Sequence, residues 1–206
     1  MSPEKEQLLK HLLAKIEKEN EGKYYDFVLP GFLARGIVAY QSMRADLLLM
    51  IDACKTLTNP ELTEVVKASL WHMIIAAYGK CFTDATSSKS PKLEPSECFA
   101  GENVKFLTAH AELMELRHNY IAHRGSTDEE LGFGYMRMNI ETLQRAIKFK
   151  QVRRIRPSHE KLQSYIELFG FLISVTERKF ENAANKIAKT MLDQFTPAEL
   201  VHMRIN

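Results

Sequence analysis

Apolar residues recur every three or four positions through most of the chain, the spacing that places them on one face of an α-helix. The pattern covers residues 4–18, 31–57 and 61–82. Asn59 and Pro60 separate the second stretch from the third and predict that one helix ends and the next begins there, with Pro60 in the first turn. The third helix is largely apolar toward its end, so we expect it at the centre of a bundle.

In the second half of the chain, the apolar residues follow a helical spacing in some stretches and alternate with polar residues in others. A polar connection at residues 83–95 leads into a further helical pattern at 103–122. Residues 131–138 and 146–155 then alternate between polar and apolar with a period of two, which predicts a small β-hairpin. Pro157-Ser158 opens a long final helix.

These elements predict a mainly α protein: an up-and-down bundle of about five main helices, with a small β-hairpin after the fourth. The chain has 206 residues, of which 45% are apolar and 26% are charged. That length and balance are typical of one folded domain, here residues 1–206, with a sizeable core.

Charge and cysteine content narrow the functional classes. The formal charge of +2 is too small for general coating of nucleic acid, so any such role needs a local basic patch. Cys54, Cys81 and Cys98 are odd in number and widely spaced, which indicates neither a disulfide framework nor a zinc site. We expect a cytoplasmic protein, because the chain shows neither a secretory signal nor the roughly 20 apolar residues of a membrane span.

One segment carries distinctive chemistry. Arg117-His118-Asn119-Tyr120-Ile121-Ala122-His123 places an arginine before polar residues, with a histidine six positions later near a predicted helix end. His110 precedes it, and an earlier helix ends in the sequence of residues 76–83. Over roughly residues 62–134 the chain resembles the HEPN superfamily, in particular members related to abortive-infection toxins.

The resemblance implies a metal-independent endoribonuclease that acts on RNA, with a toxin or phage-defence role. It also implies a homodimer formed through the motif helix, with an antitoxin protein as a further candidate partner. No cofactor and no metal are expected.

The residue types in the motif suit RNA cleavage. That reaction needs a group to take the proton of the 2′-hydroxyl, a group to protonate the leaving oxygen and a cation for the charge at phosphorus. His123 can exchange protons near neutral pH, and Arg117 can hold phosphate oxygens in a bidentate manner. We predict these two as catalytic. The candidate supporting or phosphate-binding residues are His118, Asn119, Tyr120 and Arg124.

The spacing raises a geometric problem. On a straight α-helix, six residues would turn His123 roughly 120° away from Arg117. Either the last turn unwinds, or two copies of the helix pair so that both motifs line one cleft, as the family resemblance implies.

Two other interpretations of the motif stay open. In one, His123 caps the end of its helix and Arg117 pairs with Glu115 or a neighbouring acid. In the other, the domain is non-catalytic and uses the same cleft to bind a nucleotide, RNA or a protein partner.

A basic stretch follows the motif. Its candidate RNA-binding residues are Lys148, Lys150, Arg153, Arg154 and Arg156. The same charges would also suit a solvated strand that resists aggregation at its edge.

Glu-x-x-His pairs, the spacing of di-iron ligands in helical bundles, are a last candidate. They occur at Glu115 with His118 and at Glu199 with His202. No clear partner glutamates accompany them on other core helices, so no metal centre is predicted.

Overall fold

A computed structural model describes residues 2–20, 26, 29, 31–84, 89–122, 130–153, 156–196 and 199. The α-helices are α1 (Pro3–Asn20), α2 (Gly31–Thr56), α3 (Glu64–Phe82), α4 (Pro95–Cys98), α5 (Leu107–Leu116) and α6 (His159–Gln194). A 3₁₀ segment covers Gly101–Phe106 and a π-helical segment covers Arg117–Ala122. The strands are β1 (Glu130–Met138) and β2 (Arg145–Arg153). The predicted fold class is therefore confirmed: the protein is mainly helical, with one small hairpin.

The start of the third helix was predicted too early. The side chain of Asn59 accepts a hydrogen bond from the backbone N–H of Glu61 at 3.0 Å, which holds Pro60 in a turn outside the helix. Helix α3 begins at Glu64 instead. Thr63 is its N-cap, and its hydroxyl accepts a hydrogen bond from the backbone N–H of Val66.

The single helix predicted over residues 103–122 is three consecutive segments of different winding. Gly101 has a φ of 59°, in the left-handed region that favours glycine, and opens the 3₁₀ segment. Helix α5 follows, and the backbone changes to π-helical winding at Arg117. The change falls at the first residue of the motif.

The contacts of the chain divide it into two compact units. One consists of residues 1–38 and 180–206, and the other of residues 39–179. In the first unit, apolar side chains of α1 such as Leu8 and Leu12 are exposed. A single domain over residues 1–206 stays a prediction.

The second unit contains the hydrophobic core of the described chain. Trp71, Tyr78 and Phe82 of α3 are buried in it, as predicted from their place on the apolar face of that helix. Trp71 stacks on Tyr165 of α6, with ring centroids 5.8 Å apart. Each such side chain stabilises the fold by roughly 1.5–3 kcal/mol through burial.

The hairpin joins two antiparallel strands of nine residues each. Its register pairs Glu130 with Arg153 at one end and Met138 with Arg145 at the other. None of the described helices combines the length and apolar character required to cross a membrane.

Candidate functional site

Arg117 opens the π-helical segment. Its backbone N–H is shared between the carbonyls of Leu113 and Met114 in α5. In the π-helical segment the backbone hydrogen bonds join residues five positions apart, so each turn contains more than the 3.6 residues of an α-helix. The angle expected for a straight α-helix therefore does not apply from Arg117 onward, and His123, which would define the actual angle, lies outside the described residues. π-helical turns of this kind are frequent at functional sites.

The side chain of Arg117 lies against the backbone of α3 at Gly79. A Cβ atom placed on Gly79 would lie 2.5 Å from Cγ of Arg117 and 3.1 Å from its Cδ and Nε. No residue other than glycine allows this approach without movement of the arginine. Thr83 donates a hydrogen bond to the carbonyl of Gly79 at 2.7 Å, which fixes the same stretch of α3. The stem of Arg117 up to Nε therefore packs on α3, and the residue is half-buried.

The other motif residues are described to different extents. His118 is exposed and Asn119 is half-buried, both on the π-helical segment with Arg117. The side chain of Tyr120 and the whole of His123 and Arg124 lie outside the described residues. The structure thus brings three of the six predicted motif side chains onto one segment.

The proposed ion pair between Arg117 and Glu115 does not form. Among the described salt bridges, none joins Arg117 to an acidic residue, and Glu115 is exposed. Arg117 instead makes its close contact with the backbone of Gly79.

A buried Tyr78–His110 pair ties α3 to α5 beside this contact. The Tyr78 hydroxyl and Nδ1 of His110 are 2.7 Å apart, and the imidazole packs against the rings of Phe82 and Phe99 at centroid distances of 4.6 and 4.7 Å. Burial lowers the pKa of His110. Burial, and to a lesser degree Cys81 and Cys98, raises the pKa of Tyr78. Both groups are therefore neutral at physiological pH.

The pair was not predicted from the sequence, although Tyr78 was assigned to the core and His110 was noted beside the motif. Tyr78 precedes Gly79, and His110 lies two α-helical turns before Arg117. The pair therefore fixes the spacing of α3 and α5 close to the point where Arg117 packs.

His110 predicts a pH dependence of stability. Its pKa is lowered in the folded state, so below about pH 6.5 the unfolded chain binds a proton that the folded protein does not. The free energy of unfolding should therefore fall as the pH drops from about 7.5 to about 5.5, with a His110 contribution of at most about 1.4 kcal/mol per pH unit. Urea unfolding at the two pH values measures this effect.

The matched variant is His110→Gln, which keeps a polar partner for Tyr78 and does not titrate. Its loss of stability over the same pH interval should be smaller than that of the wild type. Equal losses in both proteins would show that His110 titrates normally and would contradict its burial as a neutral group.

The predicted RNA-binding residues fall into three groups. Lys148 and Lys150 lie on β2 and are exposed. Arg156 donates a hydrogen bond to the carbonyl of Leu57 at 2.9 Å, so it holds the connection before α6 to the end of α2. The side chain of Arg153 and the whole of Arg154 lie outside the described residues.

Arg156 also lines a surface cavity of about 520 Å³ at the start of α6, formed by Arg156, Pro157, Ser158, His159 and Lys161. Lys161 forms an ion pair with Glu112, and the Tyr165 hydroxyl donates a hydrogen bond to the same carboxylate at 2.8 Å. Two of the cations at this cavity are thus already engaged within the protein.

The part of the chain that the structure describes contains no group of three or more histidine, cysteine, aspartate or glutamate side chains placed to hold a metal ion. Glu115 and His118 are both described, whereas His202 of the second Glu-x-x-His pair lies outside.

Comparisons with protein-family models, with curated proteins and with solved structures give no significant match to this chain.

Proposed function

We propose that the chain is a HEPN-like endoribonuclease that cleaves RNA without a metal ion, with Arg117 and His123 as its catalytic residues. The observation that carries the proposal is the setting of Arg117. Its stem lies on Gly79, a contact open only to glycine, and its backbone starts a π-helical segment that coincides with the motif. A solvated surface arginine does not require a glycine to pack on, whereas a catalytic arginine benefits from a fixed orientation.

The chemistry follows from the two side chains. The 2′-oxygen of a ribose attacks the adjacent phosphorus as His123 takes its proton, and the bond from phosphorus to the 5′-oxygen breaks with proton return to that oxygen. The products are a 2′,3′-cyclic phosphate and a 5′-hydroxyl. Arg117 stabilises the extra negative charge that develops on the phosphoryl oxygens. His118, Asn119, Tyr120 and Arg124 are the candidates for holding the phosphate.

The oligomeric state, the partner protein and the biological role are proposed from the family resemblance. Two copies would associate through the motif helix, so that the motifs of both subunits line one cleft. An antitoxin protein is a candidate partner, in a toxin or phage-defence role. We propose a cytoplasmic location, which suits the free thiols of Cys54, Cys81 and Cys98.

The experiment is an incubation of the purified 206-residue chain with structured and unstructured RNA in the presence of EDTA. Cleavage that persists in EDTA and is lost in His123→Ala supports the proposal. RNA that is bound and never cut would favour a non-catalytic module. Cleavage that appears only after addition of iron or manganese would overturn the metal-independent mechanism.

A further inference from the structure

The hairpin has two chemically different faces, which the register of its strands defines. Residues directly opposite each other in an antiparallel pair point to the same face. Phe133 lies opposite Lys150 and Tyr135 lies opposite Lys148, two positions further along. Arg137 follows on the same face of β1. We call these five residues the lysine-aromatic face.

The opposite face is apolar at its centre. It carries Met136 opposite Ile147 and Gly134 opposite Phe149. The Phe149 ring lies over Gly132, where an added Cβ would be 3.1 Å from two ring carbons. The Phe149 ring thus packs on the backbone of the neighbouring strand.

The aromatic rings of the lysine-aromatic face are held in a row. The centroids of Phe133 and Tyr135 are 6.0 Å apart. The Arg137 guanidinium lies 5.8 Å from the centroid of Tyr135 and donates a hydrogen bond to its hydroxyl at 3.2 Å. Tyr135 is consequently half-buried, while Phe133 keeps 54% of its surface exposed. An exposed phenylalanine gains little for folding but offers a flat surface for stacking.

In the part of the chain that the structure describes, no ion pair engages the cations of this face, Lys148, Lys150 and Arg137. The nearest carboxylate of β1 along the chain is Glu130, which accepts a hydrogen bond from Gln151 on the other face. The lysine-aromatic face therefore presents three positive charges beside two aromatic rings.

Lysines on a strand edge discourage aggregation, but that role does not require aromatic rings on the same face. Alternating rings and cations match single-stranded nucleic acid, whose bases stack on aromatic side chains while its phosphates contact lysine and arginine. The bases of double-stranded RNA are paired inside the helix and could not stack on Phe133.

We propose that the lysine-aromatic face binds single-stranded RNA, with Phe133 as the stacking platform and Lys148, Lys150 and Arg137 as phosphate contacts. The choice of RNA as the nucleic acid rests on the proposed function; the binding surface itself does not depend on cleavage.

Charge reversal on opposite faces of one strand tests the phosphate contacts. Binding of a fluorescently labelled oligouridylate is followed by anisotropy over a range of salt concentrations. Three phosphate contacts predict a slope of about −2 for the logarithm of the association constant against the logarithm of salt concentration. Lys148→Glu should weaken binding by at least about tenfold and make the slope shallower. Arg145→Glu, the same charge change on the apolar face, should have a much smaller effect.

Removal of the ring tests stacking separately. Phe133→Ala should weaken oligouridylate binding by roughly 5- to 150-fold, from about 1–3 kcal/mol per stacked base. Ile147→Ala, which truncates a more exposed apolar side chain on the other face, should leave binding within about twofold of the wild type. Circular dichroism checks that each variant is folded. Lys148→Gln, which removes the charge without reversing it, replaces Lys148→Glu if that protein unfolds.

Equal losses for Lys148→Glu and Arg145→Glu, or unchanged binding in Phe133→Ala, would overturn the proposal. Heparin, a polyanion without bases, should bind the wild type and Phe133→Ala equally; a loss of heparin binding in Phe133→Ala as large as the loss of oligouridylate binding would also overturn the proposal. This proposal and the proposed nuclease can fail separately. RNA that binds through this face without being cleaved would support the binding surface and contradict the nuclease. Cleavage that no hairpin variant affects would support the nuclease and contradict a role for this face.

Discussion

Arg117→Ala is expected to lower the rate of RNA cleavage by about two to three orders of magnitude, the usual effect of removing one group that stabilises transition-state charge. Arg117→Lys should recover only part of the rate, because lysine keeps the charge but lacks the bidentate fork. Single-turnover cleavage of a labelled RNA in EDTA measures both variants.

A matched control separates this effect from loss of positive charge in general. Arg178 is an exposed arginine on α6, and Arg178→Ala should cleave at close to the wild-type rate. Truncation of Arg117 also removes the packing of its stem on Gly79, so urea unfolding must show that the variant is folded under the assay conditions. A folded Arg117→Ala protein with wild-type cleavage would exclude this residue from the reaction.

Gly79→Ala is expected to lower cleavage by roughly 10- to 100-fold while Arg117 itself is still present. The new methyl group would lie 2.5 Å from Cγ of Arg117, so the arginine must leave its place. Misplacement of a catalytic group by about 1 Å can cost about a hundredfold in rate. The crowding should also destabilise the fold by about 1–3 kcal/mol, partly offset by the better helix propensity of alanine.

Gly170→Ala provides the control within another long helix. Nothing lies within 4 Å of a Cβ at Gly170, so alanine should stabilise the protein by roughly 0.5–1 kcal/mol and leave cleavage unchanged. If Arg117 packs on Gly79 as described, urea unfolding gives stability changes of opposite sign for the two glycine variants, and the single-turnover assay shows slower cleavage for Gly79→Ala alone. Gly79→Ala with the stability gain and cleavage rate of Gly170→Ala would show that the contact has no functional role.

The fold could be predicted from periodicity because its core depends on regular faces. The apolar spacing of α2 and α6 and the period of two in the hairpin are strong local signals, and the predicted elements are present. The start of α3 was misplaced because two capping solutions compete there. Proline after asparagine resembles a helix start, but the side chain of Asn59 forms a turn and Thr63 forms the cap.

The candidate site was only partly predictable. The residue types of the motif pointed to Arg117, yet the change to π-helical winding has no periodic signature over six residues. Gly79 was visible as a glycine inside an apolar helix, but only tertiary packing reveals that it faces Arg117. The Tyr78–His110 bond joins residues 32 positions apart, a distance at which sequence spacing gives no indication of contact.

The chemistry of the RNA ends tests the central claim most directly. Mass spectrometry of products formed by the wild-type protein in EDTA should show 2′,3′-cyclic phosphates paired with 5′-hydroxyls, and these products should form far more slowly with Arg117→Ala or His123→Ala. Products that carry 5′-phosphates, or cyclic phosphates that form at the wild-type rate in either variant, would contradict a reaction carried by this arginine and this histidine.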